Sequence, residues 1–418
     1  MRREPQREKQ RRESGRAASM PILGRRTVLA AIAATAVAAK ARAADAPVRI
    51  GQSLSLTGPL AQTGLIHQIV GEIAVARINA KGGFLGRPVE YVLLDDQSKP
   101  DVTRTLYERL VTSEKVDLIL GPYGTAAILA AMAVAQRYHK LFIQSSLGQL
   151  DLATYDMHFA ATTGSYDSEV AFAEKVLALY ASAGHQPVKT IVIATSKFPS
   201  AQRMAQGMQA VAAKAGVTIK ETLDYEFGAQ DFGAIAARVK DADPDLLWVG
   251  ALGVEGNLLL TALSQIQYRP RRHFYLFPSS GPMATLPAAE DATSLTNFED
   301  VAPFTSNPEG AALADAFRAA AEKAKLPYPH ADSQAGYEYA GWQILAAAVA
   351  ATHSLDDKVL ATWLDTATVD TVVGRRDFRG KNHTSSVDLT MLRQLQGGKW
   401  VAVWPPDQMT PGVKLIAP

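Results

Sequence analysis

Small polar residues and glycines recur in this 418-residue chain where predicted strands end and helices begin. One such turn, GPYGT, runs from Gly121 to Thr125, between an apolar strand and an Ala-rich helix. Backbone N–H groups and hydroxyls at a helix N-terminus can hold an anion. The turn lacks the Lys-Ser/Thr pair that lets a P-loop reach phosphates. It therefore predicts binding of a carboxylate rather than a nucleotide.

A second glycine-rich turn, GALGVEG, spans residues 250–256 and resembles a dinucleotide-binding turn. Such a fold needs an acid at the end of the next strand to hold the ribose. No Asp or Glu occurs between Glu255 and Glu290. We therefore favour a strand–helix turn that allows close backbone approach, and a nucleotide-dependent enzyme stays as an alternative.

Residues for catalysis or metal binding form no recognisable group. None of the eight histidines is paired at metal-ligand spacing, and the chain has no cysteine. It also lacks the G-x-S-x-G elbow of an α/β-hydrolase. Asp95 and Asp96 are adjacent on a predicted strand and point to opposite faces, which favours strand-end capping over a carboxylate pair. The sequence predicts a protein that is not an enzyme and uses no metal or cofactor.

Charge is distributed unevenly. The first 43 residues carry a net charge of +8, whereas the remainder carries −6. An acidic body argues against nucleic acid as a partner.

The N-terminal segment 1–43 has the features of an export signal. Arg25 and Arg26 precede an apolar run of thirteen residues, which is too short to span a bilayer. The arginine pair indicates the twin-arginine route, with the general route as the alternative. Cleavage is expected near Ala43, and the true start is Met1 or Met20. We expect the mature chain in the periplasm, outside the membrane.

Predicted elements alternate between strand and helix. Strands are predicted at 48–56, 89–96, 116–121 and 141–146, and again at 189–196, 217–225, 245–251 and 273–280. Helices are predicted at 64–80, 100–114, 125–138, 165–183, 199–214, 231–241 and 254–267. Short apolar strands between amphipathic helices imply parallel sheets covered on both faces. The sequence therefore predicts an α/β protein with two sheets in tandem.

The alternation stops in a Pro-rich segment at 278–308. Helices are predicted at 309–325, 332–352 and 356–367, followed by a hairpin of strands 387–395 and 399–405. The helix at 332–352 carries Tyr337, Tyr339 and Trp342, whose helical spacing favours packing over an aromatic cage.

Five segments in order carry a family resemblance. They are IGQSLSLTGPLAQTG (50–64), RINAKGGFLGRPVEYVLLDDQSKP (77–100), LILGPYGT (118–125), GYEYAGWQILAAAV (336–349) and TVVGRRDFRG (371–380). The chain resembles the periplasmic solute-binding proteins of branched-chain amino acid (Leu/Ile/Val-type) ABC transporters over nearly all of its mature length.

The resemblance implies a type I periplasmic binding protein fold, in which two α/β lobes are joined by three crossover strands. Lobe 1 would comprise 44–162 plus 300–372, and lobe 2 would comprise 163–299 plus 373–418.

The resemblance also implies a ligand site. The ligand carboxylate would be held at two lobe 1 segments, namely Tyr123, Gly124 and Thr125, and Ser145, Ser146 and Leu147. Gln144 would orient a polar group, and Phe198 would supply the aromatic side chain of lobe 2.

The position of an acid that pairs with an amino acid's ammonium group in the family falls on Ser279 or Ser280 here. Gly148 stands where a further threonine is expected. The ligand is therefore a branched-chain or other amino acid, an amide, or an aromatic or aliphatic carboxylate.

The implied function is capture of this solute by hinge closure and its delivery to an inner-membrane ABC permease, by a monomer. The alternative is a periplasmic ligand-sensing subunit of a membrane signalling receptor.

Overall fold

The computed structural model describes residues 46–147, 150–162, 166–182, 186–278 and 280–416. The predicted export signal at 1–43 lies outside these residues, as do Gly148 and Ser279. Within the described part of the chain, no helix is long and apolar enough to cross a membrane.

The first sheet has five parallel strands in the order β2-β1-β3-β4-β5. Its strands are β1 Val48–Leu54, β2 Val89–Asp95, β3 Leu118–Leu120, β4 Phe142–Gln144 and β5 His158–Ala160. The prediction missed β5, because His158–Ala160 lacks an apolar run like those that mark the equally short β3 and β4.

The second sheet has seven strands in the order β14-β13-β10-β9-β8-β6-β7. They are β6 Thr190–Ser196, β7 Thr218–Tyr225, β8 Leu246–Gly253, β9 His273–Pro278, β10 Thr293–Thr296, β13 Met391–Gln396 and β14 Lys399–Trp404. The C-terminal hairpin of β13 and β14 is antiparallel, as predicted, and adds to this sheet through β10. The prediction missed β10, which lies inside the Pro-rich segment.

Burial follows position in the sheet. Every residue of the central strand β8 is buried, whereas the edge strand β7 alternates exposed and covered residues. Strands covered by helices on both faces need continuous apolar runs, and an edge strand does not. The sequence therefore encodes the position of a strand as well as its existence.

Eleven α-helices cover the sheets in the described part of the chain. They are α1 Ala61–Ala80, α2 Pro100–Thr112, α3 Thr125–Arg137, α4 Ser168–Ser182, α5 Pro199–Ala215, α6 Gly233–Ala242, α7 Glu255–Gln265, α8 Ser280–Ala284, α9 Pro308–Lys323, α10 Ser333–Thr352 and α11 Asp357–Leu364. Short 3₁₀ turns lie at Leu150–Leu152, Pro287–Ala289, Phe304–Ser306, Lys381–His383 and Pro406–Gln408.

The chain passes between the two sheets three times, after β5, after β10 and after a small antiparallel hairpin. That hairpin consists of β11 Thr368–Thr371 and β12 Gly374–Asp377. Helices α9, α10 and α11 pack their apolar faces into the core of the first sheet. The architecture confirms the predicted two-sheet α/β fold with crossovers, while the lobe boundaries stay a prediction.

Candidate ligand-binding cleft

The strand ends of the two sheets meet at an apolar cluster. The first sheet and the turns after its strands contribute Leu54, Leu60 and Tyr123 to this cluster. The second sheet and its following turns contribute Phe198 and Leu252. Ligands of open α/β sheets bind at the carboxyl ends of strands. The junction of the sheets is therefore the place to look for a site.

Beside this cluster lies a cavity of about 50 Å³, lined from both sheets. Its lining residues are Tyr123, Gly124, Thr125, Ser146, Leu147, Leu150, Thr162, Ser168, Phe172, Ser200, Met204, Leu252, Phe277, Gln334 and Tyr337. We call this space the cleft cavity. None of these described lining residues is charged.

The first wall of the cleft cavity is the predicted turn before α3. Gly124 has a φ of 90°, a conformation that other residues rarely adopt. Its N–H donates to the Ser146 hydroxyl oxygen at 2.9 Å, which ties the turn to the segment after β4. Thr125 is the first residue of α3 and is buried. Hydroxyls and a helix N-terminus thus face the cavity, as the sequence predicted.

Gln144 and Ser145 do not line the cavity. The Gln144 side-chain oxygen accepts hydrogen bonds from the backbone N–H groups of Ser146 and Leu147, at 2.8 and 2.7 Å. The Ser145 hydroxyl donates to Glu338 at 3.0 Å. Both predicted ligand contacts therefore shape the wall from behind.

Glu338 braces the first wall. This buried carboxylate on α10 accepts hydrogen bonds from Ser145 and also from Gln52 at 3.1 Å and Trp342 at 3.1 Å. His67 Nδ1 lies 2.9 Å from it. A buried acid with this many partners fixes the relative position of α1, α10 and the strand ends.

The second wall is mostly apolar. Phe172 and Met204 lie one helical turn into α4 and α5, and Phe277 lies near the end of β9. Ser168 and Ser200 lie in the first turns of the same two helices. With α3, three helix N-termini therefore direct hydroxyl residues into one cavity, which favours a negatively charged group.

Phe198, the predicted lobe 2 aromatic, lies next to the cleft cavity and not in its lining. It lines a neighbouring cavity of about 190 Å³ together with Tyr123 and Phe227. Its ring centroid is 4.9 Å from that of Phe227. Burial raises the pKa of the Tyr123 hydroxyl well above its usual range, so this group stays protonated.

Ser279 lies outside the described residues, but its neighbour Ser280 is buried. The Ser280 hydroxyl accepts a hydrogen bond from Arg393 at 2.8 Å. Arg393 also donates to Glu299 at 2.8 Å. A buried ion pair therefore lies beside Ser280, one of the two positions onto which the family's acid was predicted to fall.

Sequence reasoning missed several lining residues. Tyr339 and Trp342 pack in the core of the first sheet, as predicted, whereas Tyr337 lines the cleft cavity. Ser168 and Ser200 had a usable signal, since both open a helix after a strand. Thr162 and Gln334 carried none, because long-range chain crossings place them at the cavity.

Two other predictions are confirmed. Asp95 accepts from the backbone N–H groups of Leu56 and Gln97, and Asp96 accepts from the Ser55 hydroxyl, so both carboxylates hold the strand end. In the second glycine turn, a side chain at Gly256 would approach the Tyr275 ring to 2.8 Å. That glycine serves close packing.

A larger cavity of about 460 Å³ lies away from the strand ends, between α1, α9, α10 and β11. Its lining includes Arg77, Lys81 and Glu309. We place the candidate site in the smaller cleft cavity, because there hydroxyl residues at the N-termini of three helices from both sheets converge beside apolar side chains.

Two lobes that enclose a cavity between their strand ends define a two-lobed binding protein. The family model for periplasmic binding proteins matches residues 47–399. The Leu/Ile/Val-binding protein BraC3 of Rhizobium johnstonii is 25% identical over 380 residues, covering 90% of this chain and 99% of the relative. The chain belongs to the periplasmic binding protein family, and its similarity to a Leu/Ile/Val-binding relative agrees with the predicted resemblance.

Solved structures agree on the fold. A solute-binding protein of an ABC transporter from R. palustris, in complex with benzoate, has a TM-score of 0.73 at 19% identity, and the match covers 89% of this chain and 98% of that one. LivJ from Streptococcus pneumoniae, in complex with isoleucine, has a TM-score of 0.72 at 22% identity and covers 89% and 100%. These neighbours confirm the type I periplasmic binding protein fold.

Proposed function

We propose that this protein captures a small organic carboxylate in the periplasm and delivers it to an inner-membrane ABC permease. The single observation that carries the ligand class is the lining of the cleft cavity, which combines hydroxyls at three helix N-termini with apolar side chains and no charged group among the described residues.

The relatives narrow the choice. BraC3 is named for Leu, Ile and Val, and the R. palustris protein was solved with benzoate. All four ligands have a carboxylate and an apolar body, but only the amino acids have an ammonium group. An ammonium buried without a partner is costly, and no acid is found among the described residues that line the cleft cavity. We therefore favour an aromatic or aliphatic carboxylate over an amino acid or an amide.

Binding would proceed by hinge closure. The segments at the strand ends of the two sheets are already close, since a side chain at Gly253 would lie 3.0 Å from the Pro59 carbonyl oxygen. A ligand must enter with the lobes apart and then stabilise the closed form by contacting both walls. This role makes the protein a monomeric carrier and not an enzyme.

A thermal-shift panel tests the proposal. Benzoate, aliphatic carboxylates, their amides and the branched-chain amino acids would be compared at equal concentration. A ligand at 100 times its dissociation constant adds about 2.7 kcal/mol of stability. We expect the largest shifts from carboxylates without an amino group. Shifts from amino acids alone would contradict the proposed ligand class.

The transport role needs a separate experiment. Uptake of the radiolabelled carboxylate should fall when the gene is deleted and return when it is restored. Unchanged uptake, with binding intact, would favour a sensing role.

A further inference from the structure

Arg376 on β12 is fully buried beside the crossover to the second sheet. Its Nη2 donates to the backbone carbonyl oxygen of Thr162, while Nε and Nη1 have no hydrogen-bond partner among the described residues. Burial lowers the pKa of Arg376 to about 10, so the guanidinium stays charged at neutral pH. A buried cation with two unused donors is costly unless something compensates it.

The acids near Arg376 already have other partners. Asp377 accepts from the Ser386 hydroxyl at 2.7 Å and lies 3.5 Å from Arg379. Asp388 lies 2.9 Å from Lys175. These two acids are the carboxylates that act on the guanidinium. Each of the two acids also has a second cation beside it, Arg379 or Lys175. These three cations and two acids among the described residues therefore leave one excess positive charge.

The excess charge lies behind the wall of the cleft cavity. Thr162, whose carbonyl oxygen accepts from Arg376, lines the cavity. Its hydroxyl is buried and has no hydrogen-bond partner in the part of the chain that the structure describes. Tyr337 also lines the cavity and is a neighbour of the guanidinium. The Arg376 side chain itself is not part of the lining. Its charge therefore acts through one layer of protein, where screening by water is weak.

We propose that Arg376 determines specificity by supplying the counter-charge for a ligand carboxylate, with the Thr162 hydroxyl as the direct donor. This inference rests on the proposed function of the cleft and assigns its charge selectivity to one residue. Arg393 is a useful contrast, because that buried guanidinium is paired with Glu299 at 2.8 Å. Arg393 therefore has a carboxylate in direct hydrogen-bond contact, which the described residues do not provide for Arg376.

The test compares benzoate with benzamide, and 4-methylpentanoate with its amide, by calorimetry on wild type and Arg376→Met. We expect wild type to prefer each carboxylate. The substitution should weaken carboxylate binding by about tenfold or more and leave amide binding within about twofold. Arg376→Lys, which keeps the charge, should retain part of the preference.

Arg375→Met is the matched control. Arg375 is the preceding residue on the same strand, but its side chain is 74% exposed. Its removal should change neither affinity. A structural role for Arg376 would lower the melting temperature and weaken both ligands equally, whereas loss of a counter-charge changes the ratio of the two affinities.

The possible failures are distinguishable. If wild type binds neither carboxylates nor amides, the proposed ligand class falls, and this inference falls with it. If wild type binds carboxylate and amide equally, or folded Arg376→Met keeps the wild-type ratio, only the inference is overturned. Should Arg376→Met not fold, the wild-type ratio and Arg376→Gln decide the matter by the same criteria.

Discussion

The two walls of the cleft cavity differ in kind. The first wall, built by Tyr123, Gly124, Thr125 and Ser146, presents hydroxyls and a helix N-terminus. The second wall, built mainly by side chains such as Phe172, Met204, Leu252 and Phe277, is apolar. The difference would suit the proposed ligand, whose polar end would meet the hydroxyls and whose apolar body the second wall would cover.

The bracing of the walls differs as well. The first wall depends on hydrogen bonds to the buried Glu338, whereas the second depends on apolar packing against its sheet. Polar networks are sensitive to loss of one member. We therefore expect loss of the Glu338 network to reduce stability most, whereas truncation of the apolar wall should mainly weaken ligand binding.

The largest effect is expected from Glu338→Ala, which leaves buried Gln52, His67 and Trp342 without their acceptor. Breaking such a network should reduce the free energy of unfolding by about 3–5 kcal/mol. Urea denaturation measures this. The control, Glu72→Ala on the exposed face of α1, should cost no more than about 0.5 kcal/mol. Equal losses in the two variants would refute the bracing role.

Phe277→Ala tests the apolar wall. The half-buried ring contributes apolar contact to the ligand body, so its loss should weaken carboxylate binding roughly tenfold to thirtyfold. Calorimetry on the folded variant measures this. Phe227→Ala, an equally half-buried phenylalanine in the neighbouring cavity, is the control. A greater loss of affinity in Phe227→Ala than in Phe277→Ala would place the ligand in the neighbouring cavity and contradict the proposed site.

Thr125→Ala tests the polar wall. Loss of one hydroxyl should weaken carboxylate binding by about threefold to tenfold, because a single hydrogen bond contributes about 1 kcal/mol. Thr125→Ser should restore the affinity, since it returns the hydroxyl. Unchanged affinity in Thr125→Ala would remove this residue from the site.

The two halves should also differ in their response to pH. Burial lowers the pKa of His158 in the first sheet from 6.5 to about 3, so its share of stability is present above pH 6.5 and lost as pH falls. Burial raises the pKa of Glu299 from 4.5 to about 7, despite Arg393. Its share is therefore present below pH 4.5 and lost as pH rises toward 7.

Titration of one such group changes the free energy of unfolding by at most about 1.4 kcal/mol per pH unit. The comparison covers pH 4.5 to 6.5. On acidification, the free energy of unfolding of Glu299→Gln should fall more steeply than that of wild type. That of His158→Asn should fall less steeply than that of wild type, or rise. Urea midpoints across this range measure both. Parallel profiles for the two variants would contradict the opposite signs.

The sequence allowed prediction of the parts that local pattern controls. The two sheets, the turn at Gly124 and the C-terminal hairpin follow from periodicity and glycine positions. The roles of Glu338 and Arg376 do not, because their partners lie far away in the chain, as with Ser145 and Thr162. The resemblance implied ligand contacts for Gln144 and Ser145, but their side chains bond to the protein behind the wall. The sequence could not show this, because strand-end position alone does not reveal which way a side chain points.

The most direct test of a carboxylate site without an ammonium partner uses ligands that differ only in the amino group. Calorimetry would compare 4-methylpentanoate with L-leucine, and 3-phenylpropanoate with L-phenylalanine. Because a buried unpaired ammonium is costly, we predict that the better-bound carboxylate exceeds its amino acid by at least about 100-fold in affinity. Equal or tighter binding of the amino acids would contradict the account.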